Sequence, residues 1–98
     1  MKYFLCRFIP PRADFLATLS ANERQGMQQH GAYLDQLLAQ GLIVAHGPVM
    51  DPAGSYGVSL FQIADDQEIT AFTSADPLIQ SGIGHYEHHP MPHLKARG

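Results

Sequence analysis

The first predicted strand of this chain is apolar on both of its faces. One alternating set carries phenylalanine and cysteine, and the other carries tyrosine, leucine and isoleucine. The two sets are Phe4, Cys6 and Phe8 on one face, and Tyr3, Leu5 and Ile9 on the other. Such a strand needs a cover on both sides. In a chain of only 98 residues, we expect the second cover to come from another copy, so the pattern predicts self-association.

A single long helix is predicted after this strand. Ser20 and Glu23 form a capping-box pattern at its start, and Gly41 suits its C-terminal end. Between them, apolar residues recur at intervals of three and four, which is typical of a helix with one buried face. His30 lies on that face, one turn before Leu34. An unpaired buried imidazole costs on the order of 1–3 kcal/mol, so His30 needs a partner, either a backbone carbonyl or a group in a functional site.

The rest of the chain predicts three more strands and a second helical region. We expect Gly47-Pro48 to end the second strand. Asp65 and Glu68 form another capping-box pattern, which predicts a helix through Ser74. The four strands are predicted at residues 2–9, 42–46, 55–63 and 82–89.

The resulting order, strand–helix–strand–strand–helix–strand, is that of the ferredoxin-like fold. We therefore predict an α+β protein with a four-stranded antiparallel sheet, helices on one face, and dimerisation through the other face. The whole chain, residues 1–98, is expected to form one domain, with residues 90–98 as a polar tail.

Composition argues against several classes of function. The formal net charge is −3 and the six Lys and Arg residues are scattered, whereas a nucleic-acid-binding protein normally carries a basic stripe. Cys6 is the one cysteine, so no intrachain disulfide is possible. No segment has the apolar length of a signal peptide or a membrane span, which predicts a cytoplasmic protein without a membrane partner. Without Gly-rich phosphate loops or Cys-based metal motifs, no cofactor is expected.

Several segments, in their order and at this chain length, form a recognisable pattern. They are KYFLCRFIPPR, MQQHGAYLDQLLAQG, GPVMDPAGSYG, the Ala75-Asp76-Pro77 corner followed by Gly82, and YEHHPMP. Together they resemble the YciI-like (YCII-related) proteins of the dimeric α/β-barrel superfamily, over nearly the whole chain. The resemblance implies a ferredoxin-like protomer that forms a homodimer sheet to sheet. It also implies a pocket with a histidine and an aspartate as an acid/base pair, which fall on His30 and Asp76.

The resemblance further implies a type of reaction. One branch of the family looks like dehydrochlorinases of chlorinated hydroquinones, and neighbouring families isomerise lactones. The pair also makes chemical sense by itself, because a carboxylate that accepts from one ring nitrogen of His30 orients the imidazole and leaves the other nitrogen free. Asp76 before Pro77 equally suits a helix N-cap, and one carboxylate oxygen is enough for each role.

Arg7 is the candidate substrate-binding residue, because it is the only charge inside the first strand after Lys2 at its start. Facing the barrel, it would hold a substrate carboxylate or phenolate. The alternative is an ion pair with Asp35, Glu87 or a second subunit. We expect Asp35 to be a solvated helix residue and His46 to lie at the surface at the end of the second strand.

A histidine-rich stretch, HYEHHPMPH, contains another cluster. His85, Glu87 and His89 would share one side of a strand, which suits half of a zinc site. No second half is evident in the sequence, so no metal is predicted.

Two functions fit these features. The first is a small cofactor-independent lyase or isomerase that acts on a small, cyclic or aromatic molecule. It would use His30 and Asp76 for proton transfer, elimination or isomerisation, with Arg7 as an anion contact. The alternative is a non-catalytic small-ligand-binding or accessory module of the same fold, in which the pair only stabilises the structure.

Overall fold

The computed structural model describes residues 1–97 of the chain. The elements in chain order are β1 (Lys2–Ile9), a 3-10 turn (Phe15–Ala17), α1 (Ala21–Ala39), β2 (Ile43–Val49), β3 (Tyr56–Ile63), α2 (Ile69–Thr73), α3 (Pro77–Gln80) and β4 (His85–Met91). Within the described residues, no helix combines the length and apolarity needed to cross a membrane.

The four strands form one antiparallel sheet in the order β2-β3-β1-β4. The helices pack on one face of it, so the predicted ferredoxin-like α+β fold is confirmed. The core lies between this face and the helices. Its buried residues are Cys6, Leu34, Leu37, Ile43, Phe61, Ile63 and Ile69. Burial raises the pKa of the Cys6 thiol to about 12, so the residue packs as a small hydrophobe.

Both reciprocal hydrogen bonds of the predicted capping box are present at the start of α1. The backbone N–H of Glu23 donates to Oγ of Ser20 at 3.1 Å, and the backbone N–H of Ser20 donates to Oε1 of Glu23 at 2.9 Å. At the other end, Gly41 has a φ of 79°, the left-handed conformation that ends many helices. These two signals fix where α1 begins and ends, and His30 and Leu34 lie on its buried face.

Two predicted strand ends were wrong, and β4 begins at His85 rather than at Gly82, because Gly82 and Gly84 have φ values of 75° and 72° that a strand does not adopt. β2 continues through Gly47 and Pro48 to Val49, and β4 continues through Pro90 to Met91. Both are edge strands of the sheet. A proline whose nitrogen faces away from the neighbouring strand removes no ladder hydrogen bond there.

The predicted second capping box was also wrong. The side chain of Glu68 makes no capping hydrogen bond to α2, and Asp65 instead pairs with the N-terminal amine at 2.8 Å. A tight turn occupies this segment, because Gln67 donates its backbone N–H to the carbonyl of Ala64 at 3.0 Å and accepts the N–H of Ala64 at 2.8 Å. The helix therefore begins only at Ile69.

Candidate active site

His30 lies where α1 packs against β1. The residue is 8% exposed, and its ring centroid is 5.2 Å from that of Phe8. Nδ1 of His30 lies 2.5 Å from Oδ2 of Asp76. The partner of this buried imidazole is therefore a carboxylate, and the structure brings the two predicted site residues together.

Asp76 is the N-cap of α3 and is completely buried. Its Oδ1 accepts the backbone N–H of Leu78 at 2.9 Å. Its Oδ2 accepts from His30 and from the hydroxyl of Tyr86, which lies at 2.6 Å. The cap and the histidine contact thus use different oxygens, and each oxygen has the donors that a buried carboxylate requires.

The electrostatics of the site favour an ionised Asp76. Burial by itself would raise the pKa of Asp76, but the hydrogen bonds from His30 and Tyr86, the charge of His30 and the N–H of Leu78 hold it below its usual value. Burial and the nearby Asp76 charge raise the pKa of Tyr86, so the phenol keeps the proton that it donates. An ionised acceptor keeps hydrogen on Nδ1 of His30 and leaves Nε2 as the nitrogen available for chemistry.

A cavity of about 240 Å³ opens beside His30. It lies between α1 and the sheet, and its walls are mostly apolar, with a few polar side chains. Its lining includes Phe8, Met27, Leu34, Pro48, His30, His46, Ser59 and Tyr86. An apolar cleft with a few converging polar groups is the usual form of a small-molecule site.

Two small residues of β3 make room for this cavity. Gly57 and Ser59 face the helices, on the same side of the sheet as Phe61 and Ile63, which fill the core. Because side chains of one face recur at every second residue, this face of β3 changes from small to large along the strand. The cavity lies at its start and the core at its end.

Arg7 does not reach this cavity. It alternates with Phe8 along β1 and therefore faces the opposite side of the sheet. Its Nη1 lies 3.1 Å from Oε1 of Glu87, and its Cζ lies 4.0 Å from the ring centroid of Tyr56. An ion pair with Glu87 is one of the alternatives left open above. The role of Arg7 as a substrate contact stays a prediction.

His46 is not the simple surface residue that the sequence predicted. Its side chain is 19% exposed and lines the cavity, and its Nε2 lies 2.9 Å from Oδ1 of Asp35. A β-bulge between Ile43 and Ala45 shifts the register of β2, so that His46 faces the helices. Regular alternation from Ile43 would have turned it outward. Asp35 itself is largely exposed, as expected.

Tyr86 is another residue that sequence reasoning missed. It donates to Asp76, borders the cavity, and its ring centroid lies 5.6 Å from that of Phe8 in an edge-on arrangement. The sequence signal was the alternation of the last strand, which puts Tyr86 on the side opposite His85 and Glu87. In the structure, the register pairs Tyr86 with Phe8 on the helix side of the sheet.

The histidine-rich strand has the expected alternation. His85, Glu87 and His89 share the face of the sheet opposite the helices, and Nε2 of His89 lies 3.6 Å from Oε1 of Glu87. Across residues 1–97, no group of three or more His, Cys, Asp or Glu side chains has the arrangement needed to hold a metal ion.

Comparisons with known proteins agree with this architecture. The family model of the YCII-related domain matches residues 1–92. A solved structure with a TM-score of 0.64 is 5-chloro-2-hydroxyhydroquinone dehydrochlorinase (TftG) from Burkholderia phenoliruptrix AC1100, in complex with 2,5-dihydroxybenzoquinone. It is 16% identical, and the match covers 96% of this chain and 95% of that chain, a likeness that shows the fold. Among curated proteins, none matches significantly.

Proposed function

The chain belongs to the family of YCII-related domains, and we propose that it is a small enzyme that moves protons on a small cyclic or aromatic molecule. His30 is the general acid/base and Asp76 orients it. The observation that carries this proposal is the 2.5 Å contact between these side chains at the wall of a 240 Å³ cavity. A positioned imidazole next to a sheltered space is the arrangement that general acid/base catalysis needs.

The proposed reaction begins with proton abstraction. Nε2 of His30 takes a proton from a carbon of the bound ring, while Nδ1 keeps its hydrogen bond to Asp76, whose negative charge stabilises the imidazolium. In an elimination, a hydroxylated aromatic ring reacts in its keto form, in which the carbon that bears the leaving group and the carbon that loses the proton are both saturated. The released electron pair then forms a double bond between these carbons, and the leaving group departs with its own bonding pair. In an isomerisation, the double bond shifts and the imidazolium returns the proton to another carbon. Neither route needs an oxidant or a reductant.

The cavity walls support a ring as the substrate. Phe8 and Tyr86 offer aromatic surface at one side, and aromatic pairs favour offset or edge-on contacts with a planar ligand. TftG is a dehydrochlorinase of 5-chloro-2-hydroxyhydroquinone, so this compound is a rational first test for elimination. The β,γ-unsaturated isomer of cyclohexenone is a matching test for isomerisation, because its product is conjugated and absorbs in the ultraviolet.

The test compares wild-type protein with His30→Gln in both reactions, by chloride release and by ultraviolet absorbance. We expect wild type to catalyse at least one of them and His30→Gln to lose about 10²–10⁴-fold in rate. His93→Gln removes an exposed histidine near the C-terminus and is the matched control, with wild-type rates expected. The proposal would be contradicted if the wild-type protein were inactive in both reactions, or if His30→Gln were as active as wild type.

The alternative, a non-catalytic ligand-binding module, draws support from the structural role of the same contacts. Asp76 joins the start of α3 to α1 through His30 and to β4 through Tyr86. A pair kept for stability alone would leave a protein that binds small rings without converting them. Binding without either test reaction would favour this second function.

We also propose that the face of the sheet opposite the helices pairs with a second copy of the chain. Its apolar residues remain partly exposed: Tyr3, Leu5, Ile9, Val58 and Leu60. Nε of Arg7 on this face is buried without a hydrogen-bond partner among residues 1–97. The face presents both Arg7 and Glu87, so a second copy related by a two-fold axis supplies complementary charge and acceptors.

A further inference from the structure

The cavity is bordered by a second imidazole held by a carboxylate. Nε2 of His46 lies 2.9 Å from Oδ1 of Asp35, and the His46 ring lines the same space as His30. The Asp35 side chain is 70% exposed, whereas that of His46 is 19% exposed. The carboxylate therefore holds the ring from the solvent side, and the imidazole borders the cavity.

The two imidazoles lie on different sides of this space. His30 packs on Phe8 of β1, His46 belongs to β2, and β3 runs between them. Neighbouring strands are about 4.8 Å apart, so the backbones of β1 and β2 are about 10 Å apart. Gly57 and Ser59 of β3 form the floor of the gap.

The backbone of β2 explains why His46 faces inward. The bulge between Ile43 and Ala45 reverses the facing of the residues that follow it, and bulges next to active sites commonly re-aim a side chain in this way. An exposed ion pair contributes little to stability. Stabilisation by the His46–Asp35 pair alone therefore gives little reason for a bulge that turns His46 towards the helices.

We propose that His46 is a second proton-transfer group of this site and that Asp35 is its positioning residue. The inference rests on the proposed function of His30. With Nε2 held by Asp35, Nδ1 of His46 is the remaining nitrogen for a substrate oxygen. The arrangement selects a planar cyclic molecule with an acidic C–H bond near one edge and a carbonyl or enol oxygen near the other.

Isomerisation of an unsaturated cyclic ketone illustrates the balanced steps. Nε2 of His30 takes a proton from the carbon between the carbonyl and the double bond. The released electron pair forms a new double bond, the carbonyl π pair moves to oxygen, and this oxygen takes a proton from protonated His46. In the return step, the enol gives its O–H proton back to His46, and His30 delivers its proton to the far carbon. Both imidazoles recover their starting states.

The first test measures isomerisation of the β,γ-unsaturated cyclohexenone by the full chain. His46→Gln keeps an amide in place of the ring nitrogen that contacts Asp35 but cannot transfer a proton, so we expect kcat to fall about 10²-fold. Asp35→Asn weakens only the positioning, so we expect a smaller loss, about 10-fold, with an altered pH profile of kcat. His93→Gln is the control and should match wild type.

The second test is independent of turnover. In histidine-selective ¹⁵N NMR, para-nitrophenol should move the ring signals of both His30 and His46. If only the His30 signals move and His46→Gln isomerises at the wild-type rate, the inference is wrong and the proposed function of His30 still stands. Wild type without isomerase activity would also overturn the role of His46. The proposed function itself fails if wild type releases no chloride from the dehydrochlorinase substrate either.

Discussion

Nδ1 of His30 lies 2.5 Å from Oδ2 of Asp76, although 46 positions separate the two residues in the chain. The contact joins the middle of α1 to the N-cap of α3, and Tyr86 extends it to β4. A buried polar group that loses its partner costs about 1–3 kcal/mol. The same contact therefore contributes to the fold and to the proposed chemistry, so variants need both a stability and a rate measurement.

Asp76→Asn is expected to lower both the stability of the fold and the rate of proton transfer. Asparagine has one side-chain oxygen, so it cannot accept from Leu78 on one side and from His30 and Tyr86 on the other. We expect urea unfolding to show a loss of about 1–3 kcal/mol in the free energy of unfolding. The proton-transfer rate should fall at least about 10²-fold.

The matched control for this substitution is Asp51→Asn. Asp51 accepts the backbone N–H of Ala53 at 2.8 Å in an exposed turn, so its replacement should change stability by less than about 0.5 kcal/mol. An Asp76→Asn protein as stable and as active as the Asp51→Asn protein would count against the account.

Acid should destabilise the protein partly through Asp76. Its folded-state pKa lies below the value of 3.8 for a free aspartate, so the stability that the ionised carboxylate contributes is present above that value. It is lost as the pH falls through the folded-state pKa. Hydrogen bonds from Arg12 and from the backbone of Ser20 lower the pKa of Glu23 to about 2, and its contribution is lost over a similar range.

Urea unfolding between about pH 5 and pH 2 separates these contributions. Asp76→Asn should show a shallower loss of stability with acid than wild type, because Glu23 remains and the Asp76 carboxylate is gone. Parallel curves for the two proteins would mean that Asp76 titrates alike in the folded and unfolded chain.

Gly84→Ala is expected to destabilise the fold through a clash with Phe8, a residue that lines the cavity. A Cβ at this position would lie 2.6 Å from the carbonyl oxygen of Ile9 and 2.6 Å from Cζ of Phe8, with a backbone φ of 72°. Gly41 has a similar φ of 79° but no atom within 4 Å of an added Cβ. Gly84→Ala should therefore lose about 1–3 kcal/mol more than Gly41→Ala, as measured by urea unfolding. Equal losses would show that both Phe8 and the backbone at Ile9 move aside without cost.

Leu60→Lys tests the proposed pairing of sheets. Leu60 lies on the face opposite the helices, beside Leu5 of β1, and a charge buried in an apolar interface is strongly unfavourable. Light scattering should show a dimer for wild type and a monomer for Leu60→Lys. Leu38→Lys, on the 42% exposed Leu38 of α1, should stay dimeric. A monomeric wild type at micromolar concentration would contradict the pairing.

Much of this fold was predictable because its signals are local. The capping box at Ser20 and Glu23 and the Asp76-Pro77 corner each place a helix start within a few residues. Alternation in β1 identified a central strand, and helical spacing put His30 on the buried face. Strand–helix order then constrained the topology.

The features that the sequence did not predict depend on contacts between distant segments. Pro48 and Pro90 are tolerated only because strand order places β2 and β4 at the edges, which no local pattern reveals. The facing of His46 depends on a bulge in β2, a backbone irregularity that alternation cannot anticipate. Tyr86 became part of the site because the register of β4 brings it beside Asp76.

Histidine-selective ¹⁵N NMR of His30 tests the central claim most directly. We predict that Nδ1 carries hydrogen throughout the neutral pH range and that addition of para-nitrophenol moves the Nε2 signal, with both features lost in Asp76→Asn. A wild-type His30 whose Nε2 signal does not respond to this ligand, or whose Nδ1 carries no hydrogen, would contradict the account.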